Sequence, residues 1–296
     1  MMTDNELIAP DVYSVSVTLR PLAEAVISPA HGYQAYALLL SILRMSDQSL
    51  AEELHRLDGA KPFTASPLQG RFGRAEGELK VIPASTYSLR LTFLKSDIFA
   101  HFLNGALKWG DNAVDLGLVS FRMEEVNPGF RRDSSTDFQS YQGILNGASA
   151  QHQIELQFSS PTAFRSGGKR NVVFPAPELV FGSYLNRWQA FSPLKLDDTI
   201  SSWFDRTVVA RYQLETHILN FGSYQEVGFT GRCRYELDKN TPEEVALALN
   251  ALADFAFYCG TGAKTTMGMG QTKKARSARN MKSGRESSIV PEKEVR

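Results

Sequence analysis

Positions 12–21 read VYSVSVTLRP, in which Val15, Val17 and Leu19 alternate with Ser14, Ser16 and Thr18. That period of two predicts a half-buried strand. After Ser28 and Pro29 the spacing changes. Tyr33, Tyr36, Ala37 and Leu40 recur at helical intervals and predict a helix over 32–45. A second, short helix is expected over 49–57, with Ser49 and Glu52 spaced as a capping box and Gly59 where a C-terminal glycine belongs. Turn-rich sequence follows with strand-like pieces, notably 86–94, where Tyr87, Leu89, Leu91 and Phe93 share one face. Asp97 is placed to cap a helix through Phe99, Phe102, Leu103 and Leu107, and 116–126 reads as another strand.

The same order then returns. Residues 128–150, rich in Gly, Ser, Asn and Asp, hold no sustained period and are expected to be a linker or flexible loop. A strand begins near His152, with Ile154, Leu156 and Phe158 alternating, and helical sequence occupies 177–191 and 198–209. Two strands are expected over 210–219 and 228–237. A helix then opens with Thr241 as cap and Pro242 at its first position and runs to about Tyr258. The repetition predicts an α+β protein of two tandem βαββαβ units, ferredoxin-like (RRM-like) in order, ending in a glycine-rich loop. The expected division is an N-terminal domain over 1–127, the linker over 128–150, a C-terminal domain over 151–272 and a basic, disordered tail over 273–296.

Composition narrows the function less than the pattern does. The chain has 296 residues, 43% hydrophobic and 22% charged, as in ordinary soluble globular proteins. Its formal net charge is +0, so any surface for nucleic acid must be a local basic face. Cys233 and Cys259, far apart, exclude a disulfide framework and a CxxC zinc site. No apolar run reaches the length of a bilayer span, and the acidic N-terminus is unlike a secretory signal. The expectation is a cytoplasmic protein.

Two segments carry chemistry. In CGTGAKTTMGMGQTKK, Gly260, Gly262, Gly268 and Gly270 surround Lys264, Thr265 and Thr266. Glycines let a backbone approach a ligand, and consecutive peptide N–H groups beside a lysine can cradle a phosphate. The segment follows a helix and lacks P-loop and dinucleotide spacing, which disfavours ATP and NAD sites. The other segment is LAEELHRLDGAKPFTASPLQG. His55 falls in the last turn of its helix, beside the stripe of Leu50, Leu54 and Leu57, and Lys61 follows past the glycine turn. A helix C-terminus favours a cation. A histidine with a lysine and no metal ligands suits RNA cleavage by the substrate's own 2′-hydroxyl, through proton transfer and stabilisation of the charged phosphorane. No histidine pair shows metal-ligand spacing, so neither a metal nor another cofactor is expected.

Both segments resemble the CRISPR-associated endoribonuclease family that matures CRISPR RNA, the sixth Cas family of the repeat-associated (RAMP) superfamily. The likeness rests on the helix ending at His55 with Gly59, Lys61 and PFTASPL, on PTAFRSGG, on GFTGRCRYEL, and on the glycine loop, in the expected order. It implies two ferredoxin-like domains with RNA along a basic face. It further implies metal-independent cleavage within the CRISPR repeat, leaving a 2′,3′-cyclic phosphate and a 5′-hydroxyl, in the service of antiviral defence. His55 matches the usual catalytic histidine and Lys61 an assisting lysine. The tyrosine that some members carry on the preceding helix is matched by Leu40, a departure for which Tyr33, Tyr36 or His31 would have to compensate, and His31, at the start of that helix, is a second candidate for proton transfer. Expected RNA contacts are Lys264, Thr265 and the loop glycines, with Arg165, Lys169, Arg170, Arg232 and Arg234. The partners implied are precursor and mature CRISPR RNA and a multi-subunit effector complex. The alternative is a non-catalytic RNA-binding subunit of such a complex.

Overall fold

The structure, a computed structural model, describes residues 9–129, 136–166 and 170–275, without the side chains of Ser166 and Arg170. In the N-terminal half, β1 (Val12–Pro21) is followed by β2 (Ala25–Ile27), α1 (Gly32–Ser46), α2 (Gln48–Arg56), β3 (Phe63–Ala65), β4 (Gly73–Ala75), β5 (Glu78–Val81), β6 (Tyr87–Phe93), α3 (Ser96–Trp109), β7 (Ala113–Leu116) and β8 (Val119–Asn127). The main sheet has the order β3-β6-β1-β8-β7, while β2, β4 and β5 form a small separate sheet that the turn-rich reading did not foresee. Val15, Val17 and Leu19 of β1 are buried with Leu89, Leu91 and Phe93 of β6 against α1 and α3, as the period-two pattern requires.

The second half comprises β9 (Asp137–Gln139), α4 (Tyr141–Gly147), β10 (Gln153–Thr162), β11 (Phe164–Ser166), β12 (Arg170–Val172), α5 (Pro177–Phe191), β13 (Val208–Asn220), β14 (Gln225–Glu236), α6 (Glu243–Cys259) and β15 (Thr272–Lys274). Its sheet runs β13-β14-β10-β15. Counting only the strands of the repeat, both sheets place the third strand beside the first and the fourth on the first strand's other edge. That is the ferredoxin-like order, so the tandem α+β reading agrees with the observed topology.

Several local expectations need correction. The segment 128–150 is not an unstructured linker where it is described: β9 pairs with β1, and α4 is capped by Ser140, whose hydroxyl accepts from Gly143 N–H at 2.9 Å. Tyr141 on α4 is buried edge-on against Trp188 and Phe255, and its hydroxyl donates to the Leu94 carbonyl, so this segment fastens the halves together. Helix α2 begins at Gln48 and is capped by Asp47, not Ser49, because the Asp47 carboxylate accepts from Leu50 N–H at 3.0 Å. The expected helix over 198–209 is a 3-10 turn over Asp198–Trp203 (η1), and β13 already starts at Val208. The tail begins later than expected, since β15 adds to the sheet beside β10 and Lys274 pairs with Asp254 at 3.1 Å. Residues 276–296 lie outside the described residues.

Arg90 shows how the two sheets are joined. Only 7% exposed, it donates from Nε to Ser14 Oγ at 2.8 Å and from Nη1 to Gln271 Oε1 at 2.7 Å. Its Nη2 donates to the Phe257 carbonyl while the guanidinium lies over the Phe257 ring. A buried guanidinium is tolerable only with its donors used in this way. Thr92 adds a hydrogen bond to the Tyr258 carbonyl at 2.6 Å. Sheet one therefore grips the end of α6, from which the glycine loop departs.

Candidate nucleic-acid interface and active site

Helix α2 ends at Arg56, and Leu57 leaves the helical conformation with its N–H on the Glu53 carbonyl. Three carbonyls at this end accept from the Lys61 ammonium: Leu54 at 2.5 Å, His55 at 3.3 Å and Leu57 at 2.8 Å. Gly59, at φ +88°, makes the turn that brings Lys61 back. Lys61 is thus a C-terminal cap, and partial burial lowers its pKa, with Asp58 opposing. His55 is exposed beside it. Its Nδ1 faces the Tyr36 hydroxyl at 3.4 Å, and its Nε2 has no partner among the described residues. Tyr36 is only 4% exposed, wedged between His55 and Phe63, and burial raises its pKa, with Tyr33 adding to the rise. Of the residues weighed as substitutes for the tyrosine at Leu40, Tyr36 is the one that touches His55. Leu40 itself is buried in the core.

His31 is elsewhere in its chemistry. It is 1% exposed; its Nδ1 donates to the Ser28 carbonyl at 2.7 Å, and its Nε2 accepts from Leu68 N–H at 2.6 Å. Both nitrogens are committed and the ring is neutral, which burial reinforces by lowering its pKa. The expectation of His31 as a proton-transfer group is corrected to a clip between the start of α1 and the loop at Leu68. Two of the other histidines also serve locally, His101 with Ser46 at 3.1 Å and His217 with Thr230 at 2.8 Å.

The glycine loop likewise departs from expectation. Gly260 N–H donates to Ala256 O, Thr261 to Gly270 O, Ala263 to Ala163 O, Gly268 to Ala65 O and Gly270 to Pro161 O, all at 2.8–3.1 Å. Gly262 N–H donates to Ser183 Oγ at 3.2 Å, and its carbonyl accepts from Arg187 at 2.6 Å. A Cβ on Gly262 would stand 2.3 Å from the Ala163 carbonyl oxygen, and one on Gly270 would stand 2.1 Å from that of Thr261. These glycines exist for close backbone approach, and their N–H groups are spent on protein acceptors. Thr265 is buried, 6% exposed. Lys264 sits in the left-handed region at φ 55°. Its ammonium donates to the Tyr224 hydroxyl at 2.8 Å, pairs with Glu226 at 3.3 Å and lies 4.4 Å from the Tyr224 ring centre. The four glycines of the loop thus serve as a clasp between both halves.

Among the expected basic residues, Arg165 is exposed on β11, while Lys169 and the side chain of Arg170 lie outside the described residues. Arg232 and Arg234 share the outer face of β14. Arg234 is held by Glu155 at 2.7 Å, whereas Arg232 stands 3.9 Å away with its side chain 61% exposed. Arg211 on β13 pairs in register with Arg234 and joins this face. Sequence reading missed it because a bulge between Val209 and Arg211 breaks the alternation there. The described residues hold no group of three or more His, Cys, Asp or Glu able to bind a metal.

The two antiparallel sheets with their packed helices form a mixed α+β architecture of the tandem ferredoxin-like kind. The family pattern described as CRISPR-associated endoribonuclease Cas6 matches residues 156–272. A CRISPR-associated endoribonuclease Cas6 of Streptococcus thermophilus is 26% identical over 133 residues, which is 44% of this chain and 54% of that protein, so the match spans about half of the relative. A Cas6 product complex superposes with a TM-score of 0.76 at 29% identity, covering 90% of this chain and 100% of that one. Thermus thermophilus Cas6 superposes with a TM-score of 0.68 at 28% identity, over 90% and 99% of the two chains. Over residues 156–272 the chain is therefore similar to the Cas6 endoribonuclease family, and over 90% of its length it shares the fold of solved Cas6 proteins.

Proposed function

We propose that this chain is the endoribonuclease that cuts precursor CRISPR RNA within its repeat, without a metal, by attack of the RNA's own 2′-hydroxyl. The observation that carries the reading is the α2 end, where an exposed imidazole with one open nitrogen stands beside a buried tyrosine and a fixed positive charge. The 2′-oxygen displaces the 5′-oxygen at phosphorus, leaving a 2′,3′-cyclic phosphate and a 5′-hydroxyl. His55 takes the 2′-hydroxyl proton or supplies one to the departing 5′-oxygen. Tyr36 holds the ring through Nδ1. Lys61 keeps the helix end in place and contributes positive charge there, its three donors being engaged with carbonyls. No nucleophile from the protein is needed.

RNA is the partner this family's solved relatives imply, since one is a product complex and another a substrate-mimic complex. For this chain the contacts favoured are Arg165, Arg232 and Arg211, which are open to phosphates, with Lys169 and Arg170 as further candidates on sequence grounds. The cytoplasm is the compartment that fits such a substrate, and no helix among the described residues is long and apolar enough to cross a membrane.

The test is incubation of the purified chain with the host repeat RNA in EDTA, with and without a 2′-deoxy substitution at the cut. One cut ending in a cyclic phosphate, abolished by the deoxy substitution while binding persists, is the expected result. Cleavage of the deoxy substrate, or a requirement for a divalent cation, would refute the route. Tight binding without any cut would instead establish the non-catalytic subunit.

A further inference from the structure

A cavity of about 660 Å³ opens between the start of α1 and the tip of the β13–β14 hairpin, on the same helix face that leads to His55. Its walls are aromatic. Tyr33 is 53% exposed and Tyr224 42% exposed, although both rings are large apolar surfaces with a reason to be covered. Tyr224 is held in place rather than left loose. It stacks on Phe221 with 5.2 Å between centres and 15° between planes, and Lys264 supports it from behind through ring and hydroxyl. Gln34 lines the cavity and carries a buried amide oxygen with no hydrogen-bond partner among the described residues.

The charges say what kind of ligand fits. No Lys or Arg lines the cavity, Glu78 does, and the nearby Lys264 is neutralised by Glu226. A phosphate would find no cation here. A flat ring would find exposed Tyr33 and the stacked Phe221–Tyr224 pair, which suits an unpaired nucleobase. Its position relative to the cut follows from α1. Tyr33 lies 6.3 Å from Tyr36 and Tyr36 lies 6.3 Å from His55, ring centre to ring centre. A strand whose phosphate meets His55 therefore passes the mouth of the cavity within two ring spacings.

We infer that this cavity takes one unpaired base of the repeat RNA, flanking the scissile phosphate, with exposed Tyr33 and the Phe221–Tyr224 pair stacking it. The inference rests on the repeat-RNA reading. Catalytic chemistry is not assigned to these residues; they position the strand and contribute to sequence selection.

The experiment places 2-aminopurine at each unpaired position around the cut in turn and follows fluorescence on binding. Quenching at one position is expected. Tyr33→Ala, at an exposed site that does not threaten folding, should relieve that quenching and weaken binding about tenfold. The same RNA with an abasic residue at that position should bind wild type and Tyr33→Ala equally. Binding without quenching at any position, or an equal loss by Tyr33→Ala on intact and abasic RNA, overturns the base pocket and leaves the ribonuclease reading standing. Failure of the wild-type chain to bind the intact repeat removes both.

Discussion

At the end of α2, His55 is exposed and its imidazole meets a single neighbour, the Tyr36 hydroxyl, at a long 3.4 Å. In the loop after α6, one peptide N–H after another already donates to a protein carbonyl or hydroxyl, and the lysine within it is paired. Both regions carry polar groups at a helix end; the first leaves the imidazole Nε2 open, while the four glycines of the second donate their N–H groups to the protein. A group must have an open atom to do chemistry, whereas a loop that joins two sheets must spend its atoms. The difference supports the proposal that reaction belongs to the first region, and it gives the glycines of the second a part in cohesion.

Substitutions that attack the clasp should cost stability. The largest loss is expected for Gly32→Ala, because a Cβ there would stand 1.8 Å from the Met267 carbonyl oxygen and push the loop off α1. Chemical denaturation should show a loss on the order of 4 kcal/mol. Arg90→Ala comes next, at about 3 kcal/mol, since Ser14, Gln271 and the Phe257 carbonyl all lose their donor. Lys264→Met sharpens the comparison further. As a clasp residue it should lower the melting temperature by the equivalent of about 1 kcal/mol while leaving the salt dependence of RNA binding unaltered. A shallower salt slope would return Lys264 to the phosphate contacts.

The smallest effect is a pH dependence. His31 has a lowered pKa because it is buried, with the Ser28 hydrogen bond opposing. The unfolded chain therefore takes up the proton first as pH falls below the ordinary histidine value of 6.5. Stability should decline as pH drops from about 7 to about 5, and protonation would also remove the acceptor that Leu68 N–H needs. His31→Gln should flatten that part of the profile, and an unchanged slope would show that other groups set it.

Much of this was legible from residue spacing. The alternation around Val15 and Leu89 located the central strands, and the position of His55 in a last helical turn was readable from Leu50, Leu54 and Leu57. What the pattern concealed was partnership across the chain. His31, at a helix start, looked available until Leu68, 37 residues on, claimed its Nε2. Gly32 gave no local sign that a loop more than 200 residues later would rest on it, nor did Tyr141 that its hydroxyl would bond Leu94. The glycine loop was ambiguous for the same reason, because close backbone approach to a ligand and to another part of the chain require the same residues.

The most direct test is the single-turnover cleavage rate of His55→Ala on saturating repeat RNA, measured beside its melting temperature and RNA affinity. A rate lowered about 10²- to 10⁴-fold, with melting and affinity unchanged, is the predicted result. A rate equal to that of the wild type would contradict the assignment of the α2 end as the reactive site.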